Sequence, residues 1–348
     1  MALSQEAVLR QAVHAEASKA IRRGRANRSG YDWRILVPAC WRVLAARGLG
    51  VVDGHVFQFG VYRGASMLEL WESLRPVTYM WGFDSFRGLP QNLDGVPKWH
   101  EGVFRHDGRV AVSAALGTRN VGWVKGYYNE SLRDGMVRRL GIRPARYVDM
   151  DADLYSSTHE ALDFLLRNRL LVTGSLIGYD DIWVLPCANG RRVSPLEVGE
   201  GRAHAEMAAR YDVEFACVAG ACDLEASRYD PSRVQTGWGH RDATDGHFWG
   251  AIFLIQSIGR GRASAGFMGA QGVEAFRQSR ACRGQPSKQE YLLPAETGAH
   301  VDDVSTSTID RGRLRPRRTW STPPDAPRSA SAYKIREAVR RSLGIAVE

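Results

Sequence analysis

The chain has 348 residues, 44% of them hydrophobic and 10 of them Trp, which is enough to fill a sizeable core in one large domain or two modest ones. No window offers the roughly eighteen uninterrupted apolar residues of a membrane span, and the opening MALSQEAVLRQAVHAEASKAIRR is charged and helix-patterned, without the apolar core of a signal peptide. Of the formal net charge of +9, residues 259 to 348 supply +7 (16 Lys and Arg against 9 Asp and Glu), so the body is near neutral and nucleic acid is not an expected partner. Five cysteines (Cys40, Cys187, Cys217, Cys222, Cys282) are odd in number, scattered and without metal spacing. They read as reduced thiols, and the expected location is cytoplasmic.

Two helical patterns come first. SQEAVLRQAVHAEASKAIRR opens with Ser4 as an N-cap, and DWRILVPACWRVLAARG has Asp32 in that position and Gly48 as a stop. Pro38 predicts a kink in the second helix. Together they make an N-terminal helical segment over residues 1–50. Short apolar runs then alternate with helical stretches. The runs are HVFQFGV (55–61), VTYMWGF (77–83), VGWVKGY (121–127), ARYVDM (145–150), SLIGYD (175–180), VEFACVA (213–219) and GAIFLIQ (250–256). Among the helical stretches, ASMLELWESL follows the first run, STHEALDFLLRNRLL carries a stripe of Ala161, Leu162, Leu165 and Leu166, and HAEMAARY spans 204–211. Seven buried runs alternating with helices predict an α/β fold around a mainly parallel sheet, over residues 51–258. From residue 259 the texture turns rich in Gly, Arg, Ser, Thr and Pro without a period, which predicts a disordered basic tail to residue 348. The closing YKIREAVRRSLGI reads as a short basic helix.

FQFGVYRGAS (57–66) lies where the first strand feeds the first helix. Gly60 and Gly64 let a ligand approach the backbone, and the helix start supplies free N–H groups. The second run ends in GFDSFRGLP, so Asp84 stands twenty-four positions after Gly60. An acid there can accept hydrogen bonds from both hydroxyls of a ribose, or it can cap the turn that follows. The full G-x-G-x-x-G is missing, which weighs against NAD and leaves S-adenosylmethionine as the better nucleoside.

YVDMDADLYSST (147–158) and GYDD (178–181) place five carboxylates, Asp149, Asp151, Asp153, Asp180 and Asp181, at the ends of two apolar runs. Like charges repel, and such a cluster is most easily tolerated around a cation. Oxygen-only donors suit a hard ion, and no Cys/His cluster suggests zinc. The same acids can instead cap a helix and a loop. His240 and His247 precede the last strand, where acceptor loops often lie. Tyr127 and Tyr128 follow the third strand, and Trp183 follows the acid pair. Each of these has a binding reading and a plain packing reading.

In order, FGVYRGAS, GFDSFRGLP, VKGYYNESL, DADLYSST and YDD resemble the macrocin O-methyltransferase family over about residues 50 to 260. The resemblance implies a Rossmann-like class I methyltransferase fold, with the N-terminal helical segment (1–50) in the place of a lid, and S-adenosylmethionine as methyl donor. It also implies a magnesium ion and a hydroxyl of a sugar-containing natural product or polysaccharide as acceptor. It puts Gly60, Tyr62, Gly64, Ser66, Asp84 and Ser85 on the cofactor. It assigns Asp151, Asp180 and Asp181 to the metal and Asp153 to the catalytic base, with Asp151 beside it in catalysis. Three departures stand out: Gln58 replaces a common Glu, Asp149 is an added acid inside the strand, and the interval from Asp151 to Asp180 is a residue or two longer. Two other readings stay open, a catechol-type O-methyltransferase and a non-catalytic adaptor acting through the basic tail. The expected partners are a small-molecule or glycoside acceptor and further copies of the same chain, with no membrane.

Overall fold

The computed structural model describes residues 5–22, 33–49, 52–74, 79–92, 99–188, 194–222, 250–267 and 269–278. All belong to the first of two units, which meet at residues 293 and 294. In chain order the elements are α1 (Gln5–Arg22), a 3-10 turn (Trp33–Leu36) running into α2 (Val37–Ala46), β1 (His55–Phe59), α3 (Ala65–Ser73) and β2 (Met80–Asp84). Then come α4 (Arg109–Leu116), β3 (Val121–Lys125), α5 (Tyr128–Ser131), α6 (Met136–Leu140), β4 (Ala145–Met150) and α7 (Tyr155–Arg167). The rest are β5 (Leu176–Tyr179), α8 (Val184–Ala188), α9 (Gly199–Arg210), β6 (Val213–Gly220), β7 (Ala251–Ile258) and α10 (Ala270–Gln278).

The seven strands form one sheet in the order β3-β2-β1-β4-β5-β7-β6. Strands β1 to β5 pair in parallel, and β7 runs antiparallel to both β5 and β6. This is the α/β arrangement expected of a class I methyltransferase, a mainly parallel sheet with helices on both faces. Chain order reverses between β1 and β4, so the crevice outside their carboxyl ends is where such a sheet takes a ligand. Side chains alternate between two cores. Phe57, Phe59, Phe83, Val148 and Met150 face one, under α7 and α9. Val56, Met80, Tyr147 and Leu176 face the other, under the N-terminal helices.

The N-terminal helices are a layer of that second core, not a cover over a cavity. Leu9, Val13, Trp33, Val37, Cys40 and Leu44 are buried against the sheet. Pro38 produces no kink, because it falls in the first turn of α2, where no N–H is required. Ser4 and Asp32, expected as caps, lie outside the described residues.

Beyond Ile258 the chain does not leave the body, as a tail beginning at 259 predicts. Ser264 N–H donates to the Val213 carbonyl at 2.9 Å, and its carbonyl accepts from Phe215 N–H at 2.9 Å. Gly266 accepts from Cys217 N–H at 3.0 Å. The edge strand β6 has backbone groups to satisfy, and this segment covers them. Helix α10 follows and buries Val273 in the main core.

The thiols also differ from expectation. Cys217 and Cys222 form a disulfide, with Cα atoms 5.5 Å apart and both side chains buried. A register irregularity after Cys217 and the turn at Gly220 (φ 77°) fold the strand end back on itself. Five positions of sequence separation hide that approach, since an extended strand would carry the two far apart. Among the described residues no helix is long and apolar enough to cross a membrane.

Candidate functional site

The carboxyl ends of β1, β2 and β4 are locked together by backbone bonds. Gly60 N–H donates to the Phe83 carbonyl at 3.0 Å, and Asp151 N–H to the Phe59 carbonyl at 2.9 Å. Gly60 sits at φ 82°, and a Cβ there would lie 1.7 Å from the Asp151 carbonyl oxygen. Only glycine allows this contact. Gln58, fully buried, braces the turn from within: its Nε2 donates to the Gly60 carbonyl (3.0 Å) and to Ser66 Oγ (2.5 Å). It is not among the residues lining the cavity described below, so the Glu-to-Gln departure bears on the shape of the turn.

Asp84 ends β2 and holds both neighbouring turns. Its Oδ2 accepts from the N–H groups of Val61 (2.7 Å) and Tyr62 (2.8 Å), and its Oδ1 accepts from Phe86 N–H (2.6 Å). Burial pushes its carboxyl above the usual range against the pull of these three donors. The capping role open to Asp84 is thus real, and the residue also faces the crevice.

That crevice is a cavity of about 640 Å³. Gly60, Tyr62, Gly64, Ser66, Asp84 and Ser85 line it together with Asp151, Asp153, Asp180 and Asp181. Leu89, Trp99, Phe104, Tyr127 and Glu160 line it as well. Every residue that the resemblance assigns to the cofactor, the ion or the base therefore borders one space. Burial raises the Glu160 carboxyl above its ordinary range.

Asp151, Asp180 and Asp181 each offer a carboxylate oxygen, and these oxygens lie within 4.8 Å of one another. β4 and β5 are adjacent and parallel, so residues just past their ends meet: Asp180 N–H donates to the Met150 carbonyl at 3.0 Å. Asp153 sits at φ 57° in a tight turn closed by Leu154 N–H on the Ala152 carbonyl (2.6 Å). Positive φ is uncommon for a residue with a side chain and is more tolerable for Asp than for most. The N-cap position of α7 is Leu154, not Asp153.

Two groups that sequence reasoning passed over complete the cluster. Glu200, buried on α9, accepts from Asp181 N–H (2.9 Å) and Ala152 N–H (3.4 Å). Arg34, 5% exposed, reaches in from the N-terminal segment. Its Nε is 2.9 Å from each oxygen of the fully buried Asp149, Nη1 is 3.2 Å from Asp180 Oδ1, and Nη2 is 3.1 Å from Asp151 Oδ2. Asp149 and Asp151, two apart at the end of β4, face the same way. The added acid shares Arg34 with Asp151 and Asp180, and Asp151 keeps its place beside Asp180 and Asp181. Trp33 Nε1 also donates to Asp180 Oδ1 at 2.8 Å. Nothing in the local spacing of WRIL announced any of this, since Arg34 meets its acids across more than a hundred residues.

Five acids (Asp149, Asp151, Asp180, Asp181, Glu200) against one guanidinium leave the cluster over-negative. Burial, with the Asp180 charge next, drives the Asp151 carboxyl well above the usual range while Arg34 pulls it down. Burial, with Asp181 next, does the same to Glu200. Three converging oxygens in a site of excess negative charge fit a hard divalent cation.

Other candidates resolve differently. Trp183 is fully buried and donates Nε1–H to the Ala221 carbonyl at 3.1 Å, so its ring walls no acceptor site. Tyr127 and Tyr128 both line the cavity and pack as well: Tyr128 lies edge-on to Phe59 and donates to the Phe83 carbonyl at 3.2 Å, and Tyr127 carries the Arg87 guanidinium over its ring at 4.2 Å. His240 and His247 lie outside the described residues.

The family model described as macrocin-O-methyltransferase (TylF) matches residues 42–192. No curated protein matches the chain in sequence. Among solved structures, the chain is similar to the O-methyltransferase TomG from Streptomyces achromogenes, involved in tomaymycin synthesis and solved with S-adenosylmethionine. The two are 16% identical, with 70% of this chain and 90% of that one covered and a TM-score of 0.39. It is also similar to CalS11, a TDP-rhamnose 3'-O-methyltransferase of calicheamicin biosynthesis (17%, 62% and 91%, 0.32). A third is an O-methyltransferase from Bacillus cereus in complex with SAH (11%, 70% and 100%, 0.35).

Proposed function

We propose that this chain, whose residues 42–192 match the macrocin-O-methyltransferase family model, is an S-adenosylmethionine-dependent O-methyltransferase that methylates a hydroxyl of a sugar-containing acceptor with the help of magnesium. One observation carries the reading: the glycine turn with Asp84 and the acids Asp151, Asp153, Asp180 and Asp181 border the same cavity of about 640 Å³. When bound, S-adenosylmethionine supplies an electrophilic methyl group, and a divalent ion lowers the pKa of a hydroxyl and orients it.

The chain's own residues do the remainder. The backbone from Gly60 to Ser66 and the carboxylate of Asp84 hold the nucleoside and its methionine arm. Asp151, Asp180 and Asp181 hold the ion. Asp153, which lines the same cavity, takes the acceptor's hydroxyl proton as the new C–O bond forms and the methyl–sulfur bond breaks. Holding donor and acceptor in line is the largest contribution, since the sulfonium needs no further activation. Leu89, Trp99 and Phe104 give the cavity an apolar side against which a sugar ring can rest.

The test is calorimetry of S-adenosylmethionine and its demethylated product on the full chain and on Asp84→Ala, with and without Mg2+. Binding in the wild type that Asp84→Ala loses supports the cofactor site. An absence of binding under every condition sinks the reading. A screen of nucleotide sugars, glycosides and catechols for methyl transfer then separates the sugar acceptor from the catechol one.

A further inference from the structure

Arg34 stands outside the cavity lining, yet it touches two of the three acids assigned to the ion. Its surroundings fix it from two sides. The preceding Trp33 is 2% exposed, wedged between two glycines of the sheet: a Cβ at Gly178 would meet its Cζ3 at 2.2 Å, and a Cβ at Gly250 would meet its Cδ1 at 2.2 Å. On the other side, the Nε contacts to Asp149 anchor the head of the guanidinium, and Tyr147 Oη donates to the same Asp149 at 2.9 Å. What projects from this anchor is a rigid planar fork, one arm on Asp151 Oδ2 and the other on Asp180 Oδ1.

We propose that Arg34 is the positioning residue of the cation site: by engaging one oxygen of Asp151 and one of Asp180, it sets the orientation of both carboxylates and thereby the affinity of the site. This rests on the metal reading given above. The charge of Arg34 by itself repels a cation, so two effects compete. Asp149, fully buried and in contact through both oxygens, cancels most of that repulsion. The orienting effect is left to dominate, and loss of such an outer partner typically weakens a metal site by roughly 10–100-fold. Lysine keeps the charge but has no fork, and cannot hold three carboxylates in fixed directions.

The experiment is Mn2+ binding to the full chain by electron paramagnetic resonance, in the wild type, Arg34→Lys and the double variant Arg34→Met with Asp149→Asn. The double variant removes both charges of the buried pair and so avoids the unpaired buried carboxylate that Arg34→Met alone would leave. Circular dichroism and the affinity for S-adenosylhomocysteine monitor the fold. The expected result is one bound Mn2+ in the wild type, with affinity weakened at least about tenfold in both variants while nucleoside affinity holds. A broadened spectrum of whatever Mn2+ remains bound would accompany it. Unchanged or tighter Mn2+ binding in the variants overturns the proposal alone, because Arg34 is then a bystander or a competitor of the ion. No Mn2+ binding by the wild type overturns it together with the metal reading.

Discussion

Replacing Gly60 with alanine is the sharpest probe of how the cofactor turn and the acid cluster are coupled. Two costs add. At φ 82° a residue with a side chain enters the left-handed region, at roughly 1–2 kcal/mol. The new methyl also lands 1.7 Å from the Asp151 carbonyl oxygen and 2.8 Å from its carbonyl carbon, where ordinary contact begins at 3.4 Å. Both partners are backbone, so relief means parting the ends of β1 and β4 by something near the missing distance, and overpacking of this kind costs about 1–3 kcal/mol. The total of roughly 2–5 kcal/mol is a large part of the typical stability of a domain, about 5–15 kcal/mol, but not all of it. The Asp151 carboxylate moves with its backbone, so cation affinity should fall along with nucleoside affinity, each at least tenfold. Urea unfolding supplies the stability and calorimetry the two affinities. Gly48→Ala is the control: it has φ 66° and nothing within 4 Å of the added methyl, so it incurs the conformational cost alone and leaves the site intact. If Gly60→Ala matches Gly48→Ala in stability and binds both ligands like the wild type, the close approach of the two strand ends is not what holds the site.

His204 predicts an acid-sensitive fold. A carbonyl can only accept, so Nε2–H donates to the Ala265 carbonyl (2.9 Å) and Nδ1 accepts from Tyr179 Oη–H (2.9 Å), which fixes a neutral ring whose pKa burial lowers from 6.5 to about 4. Between those values the unfolded chain carries the proton and the folded chain does not, so stability falls as pH drops from about 6.5 towards 4, by about 3 kcal/mol in all. Unfolding midpoints across that range should flatten in His204→Gln, and an unaltered pH slope in that variant would rule His204 out as the cause. Reducing the Cys217–Cys222 bond, which closes a loop of only a few residues, should lower stability by roughly 2 kcal/mol. Urea midpoints with and without reductant measure this, and alkylation of both thiols in the unreduced, denatured chain would show that the bond does not form.

The alternation of short apolar runs with helical stretches was enough to read a parallel α/β sheet. Its physical basis is local: a strand buried on both faces, such as LIGY at 176–179, must be mainly apolar along its length. The glycine turn and the acid clusters were legible for the same reason, because strand ends in such a sheet converge on one crevice. What remained invisible depended on long-range contact. The Trp33–Arg34 wedge finds its glycines and carboxylates more than a hundred positions away. Glu200, just ahead of the helix predicted at 204–211, becomes part of the site only once α9 packs against α7 and β6 and brings its first turn to the ends of β4 and β5. The segment after Ile258 has a tail's composition and is held because an edge strand needed its backbone groups.

The sequence by itself therefore determined the class of fold and the order of its elements, since these follow from side-chain periodicity and from turn residues read one segment at a time. Only the tertiary structure decided which cation neutralises Asp149, that the N-terminal helices are core and not cover, and that Cys217 and Cys222 meet. Those outcomes depend on which surfaces close against one another when water is excluded, a property of the assembled chain that no single stretch of residues carries.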